Sequence, residues 1–286
     1  MYTTGPPAEH DRGAPVRIAL AQINSTDDPA ANLDLVAEEV ARAAGRGARL
    51  LVLPEATMCR FGVPLGPVAE PVDGPWAGEL AALADAAGIT VVAGAFSPGG
   101  GDRVRNTLLV RGAGVHADYD KIHLYDAFDF VESESVEPGT DPVVVDVDGV
   151  GVGFATCYDL RFPDLFTALA DRGAQVVVVA ASWGAGPGKV EQWELLARAR
   201  ALDCTSFVVA CGQADPGELA GGSTAPLGVG HSRVVGPLGD VVAALGAERG
   251  HLVVDLDLER VARARAALPV LENRRSFRTP GTAEHA

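Results

Sequence analysis

Three segments of this chain carry a reactive side chain at or just beyond the end of an apolar run. "RLLVLPEATM" delivers Glu55, "VHADYDKIHLYDAF" delivers Lys121, and "VGVGFATCYDLRFP" delivers Cys157. Strand ends are where α/β sheets place their sites, so these three groups can converge on one rim. Their chemistry follows from their types. A free thiol is only slightly ionised at neutral pH, so Cys157 needs a cation or a base beside it to act as a nucleophile. Lys121 and Glu55 supply those two options. Attack on an amide carbon would push charge onto its oxygen. A lysine ammonium and a backbone N–H such as that of Tyr158 can hold that oxyanion, an effect worth roughly 3–4 kcal/mol per donor.

Each residue alone also has a plainer reading. Glu55 after Pro54 suits a helix N-cap or a first-turn acid, Lys121 a solvated strand end, and Cys157 a small buried apolar residue. The combination sets them apart. His123 shares the face of Lys121 if that strand continues, and a structural hydrogen bond is the reading for it and for His231. Trp183, after "QVVVVAAS", either walls a pocket or packs in the core. Arg161, four residues past Cys157, is either an ion-pair partner of Asp159 or Asp164 or a substrate-binding cation, and Lys189 is a second cation of that kind.

Taken together, "LVLPEAT", "YDKIHLYD" and "CYDLRFPDL" resemble the glutamate, lysine and cysteine motifs of the nitrilase superfamily of carbon-nitrogen hydrolases. They occur in the family's order, and the likeness runs from about Val16 to Arg275. The resemblance implies Cys157 as nucleophile, Glu55 as general base and acid, and Lys121 as oxyanion-stabilising cation. It also implies a second glutamate in "FVESESVEPG". The match falls on Glu132, with Glu134 and Glu137 as neighbours that compete for the role. Trp183 would wall the pocket. "KIHLYD", "CYDLRFP" and "WELLARARA" look closest to the omega-amidase and deaminated glutathione amidase branch. That branch implies hydrolysis of a terminal amide on a small carboxylate-bearing molecule, through a thioester and with loss of ammonia. N-carbamoyl amine or nitrile hydrolysis, and a catalytically silent scaffold, are the alternatives. No metal or organic cofactor is required, and a homodimer or higher homo-oligomer formed through "FPDLFTALA" and "WELLARARAL" is expected.

The elements that must position these groups are read from periodicity. Apolar β-rich runs fall at 16–23, 50–53, 90–96, 107–110, 143–147, 152–157, 175–181, 205–211, 232–235 and 252–256. Helical patterns fall between them. "DPAANLDLVAEEVARAAGRG" opens on an N-cap and a proline and closes on glycine, and "WAGELAALADAAG", "FPDLFTALADRG" and "GKVEQWELLARARALD" behave alike. Two groups of βα units imply two sheets packed face to face with helices outside, a four-layer α-β-β-α sandwich of the α/β class. Residues 15–276 are expected to form one domain, with tails at 1–14 and 277–286.

Composition narrows the partners. A formal charge of −15 disfavours nucleic acid and anionic membrane surfaces. No run approaches a membrane span and the first residues lack an apolar core, so a cytoplasmic protein is expected. The four cysteines show no metal-ligand spacing and fit a reducing compartment. "GAGPGKV" looks like a phosphate loop, but Trp183 stands where its first glycine belongs and Val190 where Ser or Thr is required. The nucleophile reading has a direct check. Cys157→Ala should abolish turnover while Cys204→Ala leaves it largely intact, and equal losses in a steady-state assay would overturn the assignment.

Overall fold

Strands that are apolar on both faces must be covered on both faces, and the central strands of this chain are of that kind. The computed structural model describes residues 15–127 and 130–275; the expected tails lie outside them. One sheet has the order β14-β1-β2-β3-β4-β5, built from β1 (Val16–Gln22), β2 (Leu50–Val52), β3 (Thr90–Pro98), β4 (Val104–Gly112), β5 (Val115–Asp120) and β14 (Gly250–Leu256). A short ribbon pairs β6 (Asp126–Ala127) with β7 (Phe130–Val131). The second sheet has the order β13-β12-β11-β10-β9-β8, from β8 (Val144–Val147), β9 (Val150–Thr156), β10 (Val176–Ala181), β11 (Phe207–Gly212), β12 (Arg233–Val235) and β13 (Val241–Ala244).

The twofold periodicity of the strands sorts their side chains into layers. Ile18, Leu20, Leu50 and Val52 of the first sheet meet Phe154, Val178, Phe207 and Val209 of the second in one buried core between the sheets. Their neighbours Ala19, Leu51, Leu53 and Val91 face the other way, against α1 (Pro29–Gly45) and α2 (Pro75–Ala87). Ala155, Val177, Val179 and Val208 likewise pack under α3 (Pro163–Asp171) and α4 (Lys189–Cys204). The result is the expected four-layer α-β-β-α sandwich. Helix starts follow the sequence signals. Asp28 accepts from the N–H groups of Ala30 and Ala31 ahead of Pro29, and Phe162 with Pro163 opens α3.

Every apolar run read as a strand is one, with ends shifted by a few residues. Besides the two-residue strands β6 and β7, three elements escaped the reading of periodicity. In β5, "VHADYD", only Tyr119 is fully covered; β13 is an exposed edge; and α5 (Glu259–Ala267) buries only Val261 and Ala264 in an arginine-rich sequence. Weak burial leaves weak periodicity.

What matters for function is direction. Strands β1 to β3 run parallel, as do β9 to β11. Two antiparallel steps, β3 to β4 and β4 to β5, bring β5 back parallel to β2. The C-terminal ends of β2, β5, β9 and β10 therefore share one rim. No helix among the described residues is long and apolar enough to cross a membrane. Because Phe154 is fully buried between the sheets, Phe154→Ala should cost about 3–5 kcal/mol of unfolding free energy. Urea titration measures this, and a loss below about 1 kcal/mol would contradict the packing described.

Candidate active site

Glu55 follows Leu53 and Pro54 at the end of β2, and the chain turns there sharply, with Ala56 at φ 57°. The turn lies flat on β3 because residue 94 is glycine: a Cβ there would sit 2.5 Å from the Ala56 nitrogen. It is also held from the opposite sheet. Gln213, one residue past β11, donates its Nε2 to the Glu55 carbonyl at 3.0 Å. The Glu55 carboxylate is completely buried and accepts from three donors. Asn106 Nδ2 reaches Oε1 at 2.7 Å, Lys121 Nζ reaches the same oxygen at 3.3 Å, and the Ser182 N–H reaches Oε2 at 2.7 Å.

Lys121 is the first residue beyond β5. Its ammonium donates to both oxygens of Glu132, at 2.9 and 2.8 Å. Glu132 sits in a single 3-10 turn, buried, and also accepts from the Tyr125 N–H at 2.6 Å. Of the three acidic candidates in that segment, only Glu132 meets Lys121. Glu134 is exposed, and Glu137 binds the Gly100 N–H, Arg103 and Arg105. Residues 128–129 of the adjoining loop lie outside the described residues.

Cys157 opens a 3-10 turn, Cys157–Arg161, with φ 48°. A non-glycine residue in this region costs about 1–2 kcal/mol and needs surroundings that fix it. Asp159 provides them. Its buried carboxylate accepts from the Thr156 N–H at 2.8 Å, Tyr119 Oη at 2.6 Å, the His123 N–H at 2.9 Å and contacts His123 Nδ1 at 2.7 Å. The turn bearing the thiol is thus tied to the segment that follows Lys121.

This arrangement decides two readings. The strand stops at Asp120, so His123 does not continue the face of Lys121; it makes the structural hydrogen bond expected of it, in the Asp159 network, and stacks on Phe162. Arg161 is not an ion-pair partner of Asp159 or Asp164, and no carboxylate among the described residues lies within 4.0 Å of it. Asp159 is already occupied, and Arg161 instead donates to Gln192 at 2.7 Å with its guanidinium over the rings of Tyr158 and Trp183, at 5.9 and 5.1 Å. His231, as anticipated, is a structural residue, beside Glu194 at 3.3 Å.

Burial pushes the Glu55 carboxyl up, an effect that Lys121 opposes. Burial alone would lower Lys121, but the carboxylates of Glu55 and Glu132 outweigh it and raise the ammonium well above its ordinary range. The Cys157 thiol is raised by burial and then by the negative charge of Glu55, and Lys121 offsets only part of this. The resting site therefore holds a lysine ammonium and a protonated thiol.

These groups floor a cavity of about 420 Å³. Tyr125, Tyr158, Phe61 and Trp183 wall it, and Arg161 and Lys189, both partly exposed, also line it. Trp183 does both things its sequence allowed: it faces the cavity and packs on Trp193 at 5.4 Å. Lys189 lies over the Tyr125 ring and donates to its Oη at 3.3 Å. Among the described residues no cluster of three or more His, Cys, Asp or Glu side chains could hold a metal ion. Asn106, Ser182 and Gln213 were not anticipated. Each stands at the rim end of a strand or just beyond it, so inspecting every rim position for polar side chains would have found them.

The carbon-nitrogen hydrolase family model matches residues 17–266, and with this fold and rim site the chain belongs to that family. A hydrolase of Mycobacterium tuberculosis is 58% identical over 270 residues, covering 92% of this chain and 96% of the relative. The deaminated glutathione amidase of Escherichia coli O157:H7 is 35% identical over 263 residues, covering 90% of this chain and 97% of the relative. A mutant of the amidase from Nesterenkonia sp. AN1, bearing the acetamide moiety of fluoroacetamide on its active-site cysteine, superposes with a TM-score of 0.76 at 30% identity, covering 92% and 95% of the two chains. The protein is an enzyme, an amidase-type hydrolase of C–N bonds.

The electrostatics carry a testable consequence. Glu55→Gln removes the charge that lifts the Cys157 thiol, so the rate of Cys157 alkylation by iodoacetamide should rise at lower pH than in the parent while hydrolysis is lost. An unmoved alkylation profile, read by mass spectrometry across pH, would show that Glu55 does not act on the thiol.

Proposed function

We propose that this enzyme hydrolyses the terminal amide of a small carboxylate-bearing molecule to the acid and ammonia, with Cys157 as nucleophile. The observation that carries the reading is the lining of one cavity: a thiol beside a buried Glu-Lys-Glu cluster, together with the cations Arg161 and Lys189.

Because the resting thiol is protonated, its proton has to leave as the attack proceeds, and Glu55, whose carboxylate three donors favour against the burial that raises it, is the acceptor. Lys121 cannot take that role, since two carboxylates hold it as an ammonium. It acts as a fixed positive charge for the oxyanion, with the Tyr158 N–H as the second donor. Glu55 then passes the proton to the amide nitrogen, the C–N bond breaks, and ammonia leaves a thioester on Cys157. Water next gives a proton to Glu55 and its oxygen to the acyl carbon. The acid departs and the proton returns to sulfur. Glu132 keeps Lys121 charged and directed. The adduct on the cysteine of the Nesterenkonia amidase supports a covalent route of this kind.

The substrate's carboxylate would lie against Arg161. Its guanidinium is pinned by Gln192 and two aromatic rings and so loses little freedom on binding. No cofactor takes part in this scheme. Pairing of two copies through the outer helices is part of the same proposal, supported by Leu195 and Leu202, which are exposed one heptad apart on α4. So is a cytoplasmic location, supported by the four free thiols.

Purified enzyme should release ammonia from linear monoamides of dicarboxylic acids. Arg161→Gln should raise KM for them roughly 10- to 100-fold with kcat little changed, and leave an uncharged amide of equal length unaffected. Cleavage of N-carbamoyl amines or nitriles in place of these amides would overturn the substrate class, and an equal loss on the uncharged amide would remove Arg161 from it.

A further inference from the structure

Asn106 lies outside the cavity lining. It is 1% exposed and stands on β4, where the antiparallel register sets Thr107 against Asp120 and so brings Asn106 opposite Lys121. One residue thereby makes two contacts of different kinds. Its main-chain carbonyl accepts from the Lys121 N–H at 2.9 Å, and its side-chain amide donates to Glu55 Oε1 at 2.7 Å. The carboxylate oxygen it holds is also the one nearest the Lys121 ammonium. Its own Oδ1 is buried with no hydrogen-bond partner. An amide has two donor hydrogens and two acceptor lone pairs, and the side-chain bond Asn106 makes goes to Glu55.

We infer that Asn106 is a positioning residue for the hydrolysis: it sets the distance between Glu55 and Lys121 and holds the Glu55 carboxylate in its ionised form. Glu55 faces charged or titratable groups on each neighbouring element. Lys121 follows β5, Glu132 sits in the turn after β7, and Cys157 follows β9, while β10 contributes only the Ser182 N–H. Among these, Lys121 and the two neutral donors, Asn106 and Ser182, favour the carboxylate, and burial and Glu132 oppose it. Lys121 is itself shared with Glu132. Removing the amide therefore leaves a buried carboxylate with one neutral donor and part of one cation, and its proton affinity must rise.

The inference rests on Glu55 being the base in the proposed reaction, and the experiment separates the two. The pH dependence of kcat/KM is measured for the parent and for Asn106→Ala, Asn106→Asp and Glu55→Gln. Glu55 must be ionised to accept a proton, so a raised carboxyl pKa moves the acid limb to higher pH. Asn106→Ala should shift that limb up by about one pH unit and lower kcat/KM at the parent optimum roughly tenfold. Asn106→Asp keeps the volume and the main-chain bond to Lys121 but sets a second carboxyl against Glu55. It should move the limb at least as far, which keeps the test informative if the alanine variant folds poorly. Loss of turnover in Glu55→Gln with an unshifted limb in both Asn106 variants would overturn the positioning role and leave Asn106 a packing residue. Turnover retained in Glu55→Gln would overturn the base assignment instead.

Discussion

The site depends on one buried ammonium shared between two carboxylates. Lys121 lies between Glu55 and Glu132 with all three side chains almost entirely covered. Ions taken out of water at this depth cost several kcal/mol each, and the cost is offset only when partners and hydrogen bonds are complete. Here they nearly are. Asn106, Ser182 and the Tyr125 N–H supply the donors that one lysine cannot. Burial, and then the negative charge of Glu55, keep the neighbouring thiol protonated, with Lys121 offsetting only part of this.

Such a cluster cannot be assembled on one sheet. Glu55, Asn106 and Lys121 come from the first; Ser182, Gln213 and Cys157 come from the second. The inter-sheet core of Ile18, Leu50, Phe154 and Val178 is therefore also the spacer that sets distances among the reacting groups. Asp159 does the same at closer range, since it binds the turn under Cys157 and the segment after Lys121 with one carboxylate.

Much of this was legible beforehand, and the exceptions share a cause. Burial on both faces wrote β1 to β3 and β9 to β11 into the chain as continuous apolar runs, and the helix caps at Asp28 and Pro163 were equally plain. Glu55 and Cys157, reactive by type, announced themselves by standing where those runs stop, and Lys121 by its own reactive type beside the motif it belongs to. Asn106 and Gln213 did not, because an amide at a strand end is common and its importance lies in a partner far away in sequence. For Arg161 the sequence left an ion pair with Asp159 or Asp164 open beside substrate binding, and only the contacts decide against the pair, because Asp159 is committed to Tyr119 and His123. Sequence proximity says nothing about which acceptors are spent.

The antiparallel pairing of β1 with β14 sets Val16 against Leu256 and Gln22 against Gly250. The edge of the first sheet next to β1 stays open until the strand near the end of the described chain arrives to cover it. Pairings between such distant segments form slowly, because a large loop must close before any bond repays it. During synthesis, β1 to β5 and the residues around Glu55 and Lys121 emerge well before Cys157 and its sheet. A ribosome-bound chain of this enzyme would spend that interval with an uncovered apolar face and without Cys157, the proposed nucleophile, which arrives only as the second sheet forms to shield that face.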